Sequence, residues 1–234
     1  MLLSYGKKVS VSSSLEGYPA ENIVDEDART AWVAQSNRDM EWAQVDLQRL
    51  SSIHAIQVNF DEYGANQKGA VSGVYQSYLI YASVNGEDWS LVVDYGTKKT
   101  DTPHDYIEFE EPFKARYIKL QNKEYMVSEN FSVRDLRIFG KGQGSTPRAV
   151  IDFTVERDEA DPCKARLCWE AVPDAQGYIV RYGIAGDKLY NNFQVMGENT
   201  LEIGSLNKGV AYYFTIDAYN ENGITRTSRI KVCR

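Results

Sequence analysis

Apolar and polar residues alternate in run after run of this chain, and that two-residue period constrains its fold more than any other feature. In the first half the alternation marks residues 8–12, 43–47, 55–60, 78–83, 91–95, 106–109, 116–121 and 136–139, which read as eight strands. Val, Ile, Tyr and Phe dominate them, as a pleated, half-buried surface prefers, and helical spacing is scarce. An antiparallel two-sheet sandwich is the economical architecture. The connections after the first, third, fifth and seventh runs are long (residues 13–42, 61–77, 96–105 and 122–132), and the others are short. Strands that reverse direction in turn should gather these long loops at one end, where function is to be sought.

A glycine-rich stretch, Gly140-Lys-Gly-Gln-Gly-Ser-Thr-Pro147, separates this region from a second patterned one. The expected organisation is a first domain over residues 1–141, a linker over 142–147 and a second domain over 148–234. In the second, residues 149–155, 165–172, 177–184, 190–196, 200–203, 212–219 and 224–232 read as seven strands of an immunoglobulin-like sandwich. With 234 residues, 43% of them hydrophobic, each domain has enough material for a core. The net charge is −7, with nearly all of the acidic excess in the first 142 residues. That balance argues against nucleic acid and anionic lipid, which draw on clustered Lys and Arg. No apolar run is long enough to span a bilayer, so membrane insertion is not expected. Met1-Leu-Leu-Ser-Tyr lacks the basic start and apolar middle of a signal peptide, so any leader is expected upstream on a parent chain.

Cys163, Cys168 and Cys233 all fall in the second half. Three free thiols behaving as small apolar residues are expected, and a Cys163 to Cys233 bridge is the alternative.

The densest chemistry is Asn22-Ile-Val-Asp-Glu-Asp-Ala-Arg-Thr-Ala-Trp32. Asp25, Asp27 and Thr30 offer hard oxygen ligands that suit calcium, with backbone carbonyls to complete the shell. An EF-hand is excluded, because counting from Asp25 puts Thr30 where the turn glycine belongs and Ser36 where the bidentate glutamate belongs. The alternative is a solvated turn in which Asp25 or Asp27 caps a short helical turn.

The same residues fit the pattern A-x-N-x-x-D-x-D-x-x-T-x-W through Ala20, Asn22, Asp25, Asp27, Thr30 and Trp32. Trp42-Ala-Gln-Val-Asp-Leu47, Ser83-Val-Asn-Gly-Glu-Asp-Trp89, Arg116-Tyr-Ile-Lys-Leu120 and Asp135-Leu-Arg-Ile-Phe-Gly140 follow in order. On these motifs the first ~140 residues resemble discoidin, or coagulation factor 5/8 type C, domains, which as bacterial modules form carbohydrate-binding family 32. The resemblance implies an eight-stranded jelly-roll sandwich and a structural calcium held by Asn22, Asp25, Asp27, Thr30, Arg134 and Asp135. Glutamate is usual where Asp135 stands, and its shorter arm reaches less far. The second region is similar to fibronectin type III modules through Trp169, Pro173, the run 206–212 with Tyr212 as its corner tyrosine, Ala218, Asn220 and Gly223. A seven-stranded sandwich is implied there.

Neither His54 nor His104 sits in a hydrolase, metalloprotease or phosphate-loop pattern, and 33 acidic residues make any one carboxylate pair uninformative. No catalytic site is expected in these 234 residues. Trp32 and Trp42 match positions of the resembled family that pack the core, Trp89 follows a hairpin turn, and Trp169 is expected to fill the second sandwich. Tyr18, Arg38, Glu62, Tyr63, Asn66, His104 and Tyr125, beside Gln67 and Tyr75, instead mix aromatic rings with planar polar groups in the long loops. A sugar needs a ring face stacked and vicinal hydroxyls bonded. The alternative for each tyrosine is that it folds under its own loop.

The start and end of the first region resemble modules attached to family 43 glycoside hydrolases of the xylosidase/arabinosidase type. That implies a non-catalytic carbohydrate-binding region of a secreted, periplasmic or cell-surface bacterial enzyme. Its partners would be a plant-type polysaccharide or oligosaccharide and an upstream catalytic domain of the same chain. Val33 and Ala34 stand where a histidine often follows Trp32, which argues against a galactose-type pocket. Two alternatives remain: modules that pack against the parent catalytic domain, or a protein-adhesion module.

Overall fold

The computed structural model describes residues 1–65 and 73–234, which form two compact units, Leu2–Gln143 and Gly144–Arg234.

In the first unit β1 (Lys8–Val11) is followed by a single 3₁₀ turn (Ala20–Val24) and a two-residue β2 (Trp32–Val33). Then come β3 (Trp42–Phe60), β4 (Gln76–Ser83), β5 (Ser90–Tyr95), β6 (His104–Tyr125) and β7 (Ser132–Gly142). The hydrogen-bonded order is β2-β7-β3-β6-β4-β5, with β1 on β3, and every described pairing is antiparallel.

Two pairs of expected strands prove to be one strand each. Residues 43–47 and 55–60 lie within β3, and 106–109 and 116–121 within β6. A straight 19-residue strand would be about 60 Å long. Yet both flanks of β3 bond to one short stretch of chain: the Asn122 N–H donates to the Glu41 carbonyl, and the Tyr125 hydroxyl to the Asp61 carbonyl. β3 must therefore fold back on itself, one half in each layer of the sandwich. The fold falls at a register shift between Asp46 and Ser51, where Gln48 has φ 67°. Asp46 holds this corner by accepting the Gln48 N–H at 2.7 Å and both guanidinium arms of Arg116 at 2.8 and 2.9 Å. Between the layers lie Trp32, Phe60, Tyr78, Tyr125, Phe131, Ile53, Ile56, Ile80 and Ile118, all buried.

The expected linker begins inside the first unit. β7 runs to Gly142, which pairs with Ser51, and a Cβ on Gly140 would lie 2.1 Å from the Ser52 carbonyl oxygen. Glycine is used here for close strand approach. Residues 144–147 belong to the second unit, where Asn222 accepts the Gly144 N–H and donates to the Ser145 carbonyl, and Thr225 donates to the Pro147 carbonyl.

The second unit has a three-stranded sheet of β8 (Phe153–Arg157), β9 (Ala165–Trp169) and β12 (Thr200–Ile203), in the order β12-β9-β8. A five-stranded sheet holds β10 (Gly177–Gly183), β11 (Asn191–Met196), β13 (Tyr212–Asn220), β14 (Gly223–Thr225) and β15 (Lys231–Cys233). Phe153, Leu167, Trp169, Val180, Phe214 and Ile216 fill its core. The expected last strand, 224–232, is split into β14 and β15. Asp217, paired with Arg181, also accepts the Thr227 N–H at 3.2 Å, which takes that backbone group out of the ladder. The Tyr212 hydroxyl accepts the Asn207 N–H at 3.3 Å. All three cysteines are free thiols, Cys233 buried and the other two half-buried.

Candidate functional site

The four long loops do gather at one end, because β3 and β6 each fold back. Asn37 donates to the carbonyls of Tyr125 and Ser128, the Met126 N–H to Tyr75, the Phe60 N–H to Pro103, and the Thr102 N–H to the Gln76 side chain. Each bond joins the chain at one long loop to the chain at or beside another.

Two tyrosines meet there. Tyr18 and Tyr63, both half-buried, stand edge to face with centroids 4.9 Å apart. Glu62, exposed, precedes Tyr63. Nearby lies an open cleft of about 500 Å³ lined by Ser12, Ser13, Gln35, Ser36, Arg38, Asp39, Met40 and Glu41. Ser14 links the two features, accepting the Gln35 amide at its carbonyl while its hydroxyl donates to the Tyr18 carbonyl. At the cleft floor Glu41 accepts hydroxyls from Ser12, from Ser13 at 2.8 Å and from Ser36 at 2.7 Å. Partial burial pushes the Glu41 carboxyl up, but these hydroxyls outweigh it and hold it below the usual glutamate range.

Of the expected sugar-contacting residues, Tyr18, Tyr63 and Arg38 belong to this region, with Arg38 exposed on the cleft wall. Tyr125 does not face solvent. It is 1% exposed, its ring packs on Phe60 and Phe131, and its hydroxyl bonds the Asp61 carbonyl and the Ser132 hydroxyl. Tyr125 is thus a core residue that ties Asp61, just past β3, to the end of β6. His104 opens β6, and its Nδ1 lies 3.1 Å from the Asn59 amide oxygen, so it joins a chain through Asn59 to Asp135. Asn66 and Gln67 lie outside the described residues. Ser12, Ser13, Gln35, Ser36, Asp39 and Glu41 were not marked by the sequence, since nothing in its periodicity tells that these loop residues share one cleft.

The acidic turn is tightly self-bonded. Asp25 accepts the Asp27 N–H at 2.9 Å and the Thr30 hydroxyl at 2.8 Å, and the Thr30 N–H donates to the Asp27 carbonyl at 3.1 Å. Asn22 donates its amide to the Ala31 carbonyl. Asp27 turns its carboxylate to Arg29, whose hydrogen bonds hold it down to about 2. The Asp27 side chain is thereby committed, and only its main chain is a candidate ligand. Between them Glu26, at φ 61°, reaches Arg137 of β7 at 2.7 Å and pins the turn to that strand. Arg134 reaches Asp61 with its side chain. On β7, Asp135 is buried, with one oxygen accepting Asn59 at 2.8 Å and the other without a partner. Among the described residues no three His, Cys, Asp or Glu side chains converge on a metal position. The carboxylates of Asp25 and Asp135 and the backbone carbonyls of the turn are hard-oxygen donors of the type that calcium takes. A carboxylate has about four acceptor positions, so the two bonds to Asp25 leave room for a cation.

A folded-back β-sandwich with its long loops at one end and an acidic turn against β7 defines a class of module. The F5/8 type C domain family profile matches residues 8–135, and the chain belongs to that family. It is similar to lactadherin of Rattus norvegicus, 33% identical over 110 residues, covering 44% of this chain and 25% of the relative. Lactadherin of Mus musculus is 32% identical over 110 residues, covering 44% and 23%. The match thus spans about a quarter of the length of these relatives. Among solved structures, chitosan-binding module 1 of a Paenibacillus sp. IK-5 chitosanase/glucanase superposes with a TM-score of 0.51 at 20% identity, covering 60% of this chain and 99% of the module. Module 2 of that enzyme, in complex with chitotriose, gives 0.50 at 20% identity over 59% and 99%. These likenesses show the discoidin-type fold. No helix among the described residues is long and apolar enough to cross a membrane.

Proposed function

We propose that the first unit binds carbohydrate without catalysing a reaction, at the loop end formed by the Tyr18–Tyr63 pair and the cleft beside it. That pair carries the reading. Two tyrosines from different loops offer a rigid apolar platform, while Arg38, Gln35, Asp39 and Glu41 offer planar groups that bond vicinal hydroxyls. The similar fold of modules described as chitosan-binding supports a sugar as the ligand class. The second unit, with its three- and five-stranded sheets and its Tyr212 hydroxyl bond, is read as a fibronectin type III-like spacer. The whole is an accessory region of a secreted bacterial glycoside hydrolase of the xylosidase/arabinosidase type, acting with an upstream catalytic domain on plant-type polysaccharide.

A glycan array of the 234-residue protein tests this reading. Saturable hits are expected, with affinity lost about tenfold or more in Arg38→Ala and Tyr63→Ala. An array without hits would favour modules that pack against a catalytic domain.

Calcium is proposed as structural, held by Asp25 and Asp135 with carbonyls of Asn22, Asp27 and Arg134 and the Thr30 oxygen. The unpartnered buried oxygen of Asp135 supports it. A chelator is expected to lower the melting temperature, by about 2.7 kcal/mol of linkage if the ion was present at a hundred times its Kd. Asp25→Ala should remove the response to calcium. A melting temperature indifferent to both changes would end the assignment.

A further inference from the structure

The outer face of the sheet half that meets the loop end carries an unusual arrangement. β6 turns Tyr117, Lys119, Gln121 and Lys123 outward, while Ile118, Leu120 and Asn122 are buried. Lys119 sits across from Gln44 on β3 and Tyr81 on β4. Its ammonium lies 3.7 Å from the centroid of the Trp89 ring and 5.4 Å from that of Trp42, and Trp89 packs edge-on against Tyr117 at 6.5 Å. All four aromatic residues are half-buried, so each keeps some ring surface toward solvent. Trp42, read from the sequence as a packing residue, and Trp89, read as following a hairpin turn, thus frame an outward cation.

The charges around it are spoken for. Arg116 is paired with Asp46, and Lys123 with Asp39 at 2.7 Å. Lys119 is paired with no described carboxylate, and burial alone pushes its ammonium below the usual lysine range. A cation kept unpaired in a partly dry aromatic frame attracts an anion more strongly than a surface lysine does. The face also continues the cleft, since Asp39 lines the cleft and bonds Lys123, two outward positions along β6 from Lys119. Outward positions on a strand are spaced about 7 Å apart, so the path from Lys123 to Tyr117 is about 20 Å, long enough for several sugar rings.

We propose that this face is a second contact surface for the same chain ligand, and that the ligand is a mainly neutral polysaccharide bearing sparse uronic acid groups, one carboxylate meeting Lys119 while sugar faces lie on Trp42 and Tyr81. The inference rests on the carbohydrate-binding reading and extends it from the cleft to the sheet face. One unpaired ammonium suits one carboxylate. A polyphosphate or an anionic membrane needs several cations, and a fully charged polyuronate would meet the net charge of −7.

The test is calorimetric titration of the 234-residue protein with glucuronoxylan and with glucuronate-bearing arabinogalactan, each beside its carboxyl-reduced form. At least one native polymer should bind about tenfold more tightly than its reduced form, the scale of one charge-assisted contact. That advantage should vanish in Lys119→Met and survive in Lys119→Arg. The two arms distinguish which backbone carries the uronate. If native and reduced polymers bind alike, or neither binds, or the advantage persists in Lys119→Met, the proposal is overturned. Equal binding of both forms that is lost in Arg38→Ala would overturn the face while leaving the loop-end site standing. A carboxyl-dependent gain lost in Lys119→Met but indifferent to Arg38→Ala and Tyr63→Ala would do the reverse.

Discussion

Tyr125→Ala is expected to destabilise the first unit by about 3–5 kcal/mol, the range for removing a buried aromatic side chain. Tyr125 is 1% exposed and its ring lies 5.3 Å from Phe131 and 6.0 Å from Phe60, so truncation opens a cavity where the two layers meet the loops. Tyr125→Phe isolates the hydroxyl. Its loss is expected to cost about 1 kcal/mol, because the Asp61 carbonyl keeps a second donor in the Ser132 hydroxyl at 3.1 Å. Denaturant unfolding of both variants measures the two terms. If Tyr125→Ala instead unfolds like the parent protein and loses only glycan affinity, Tyr125 faces ligand after all and the assignment to the core is wrong. This variant therefore separates folding from binding in a way that Tyr63→Ala, at a half-buried loop position, does not.

That Tyr125 could be read either way shows where sequence reasoning stops. A tyrosine between Glu124 and Met126 has the same composition whether its hydroxyl meets sugar or a carbonyl 64 residues away. Strand positions were legible because alternation records which face is dry: Val45, Leu47, Ile56, Val58, Ile118 and Leu120 are all buried as the period requires. The continuity of β3 and β6 was not legible. Exposed Gln48, Arg49 and Leu50 break the alternation and read as a turn, although the ladder to β6 resumes at Ser51. The glycines at 140 and 142 likewise read as linker because composition does not tell flexibility from close strand approach. The loop end was found from connection lengths, while the cleft was missed. Ser12 and Ser13 meet Glu41 across 29 and 28 residues of chain, and no local pattern encodes that distance.

Asp105→Ala is expected to be the other strongly destabilising change, by about 3 kcal/mol, the lower end for breaking a buried ion pair. Asp105 is buried at the start of β6, accepts the Tyr78 hydroxyl at 2.7 Å and holds Lys98 at 2.5 Å. Without the carboxylate, the Lys98 ammonium keeps, among the described residues, the Tyr95 ring 4.5 Å away, and Tyr78 loses its acceptor. The lower end applies because the Lys98 side chain is 22% exposed and can rehydrate. Adding Lys98→Met removes the stranded cation, so the double variant should recover much of the loss, and a double-mutant cycle in urea measures the coupling. A cost below about 1 kcal/mol for Asp105→Ala would mean that the pair is solvated and contributes as surface pairs do. The same cluster sets an alkaline limit. Burial first, then the bond to Asp105, pushes the Tyr78 hydroxyl above its ordinary value of 10.0, and burial does the same for Tyr125. Both groups stay protonated in the folded state after they would ionise in the unfolded one. Their stabilisation is complete below pH 10 and is lost as pH rises from there toward the folded values, so unfolding should become progressively easier in base. In Tyr125→Phe that alkaline slope should be shallower by one tyrosine, and in Tyr78→Phe by another.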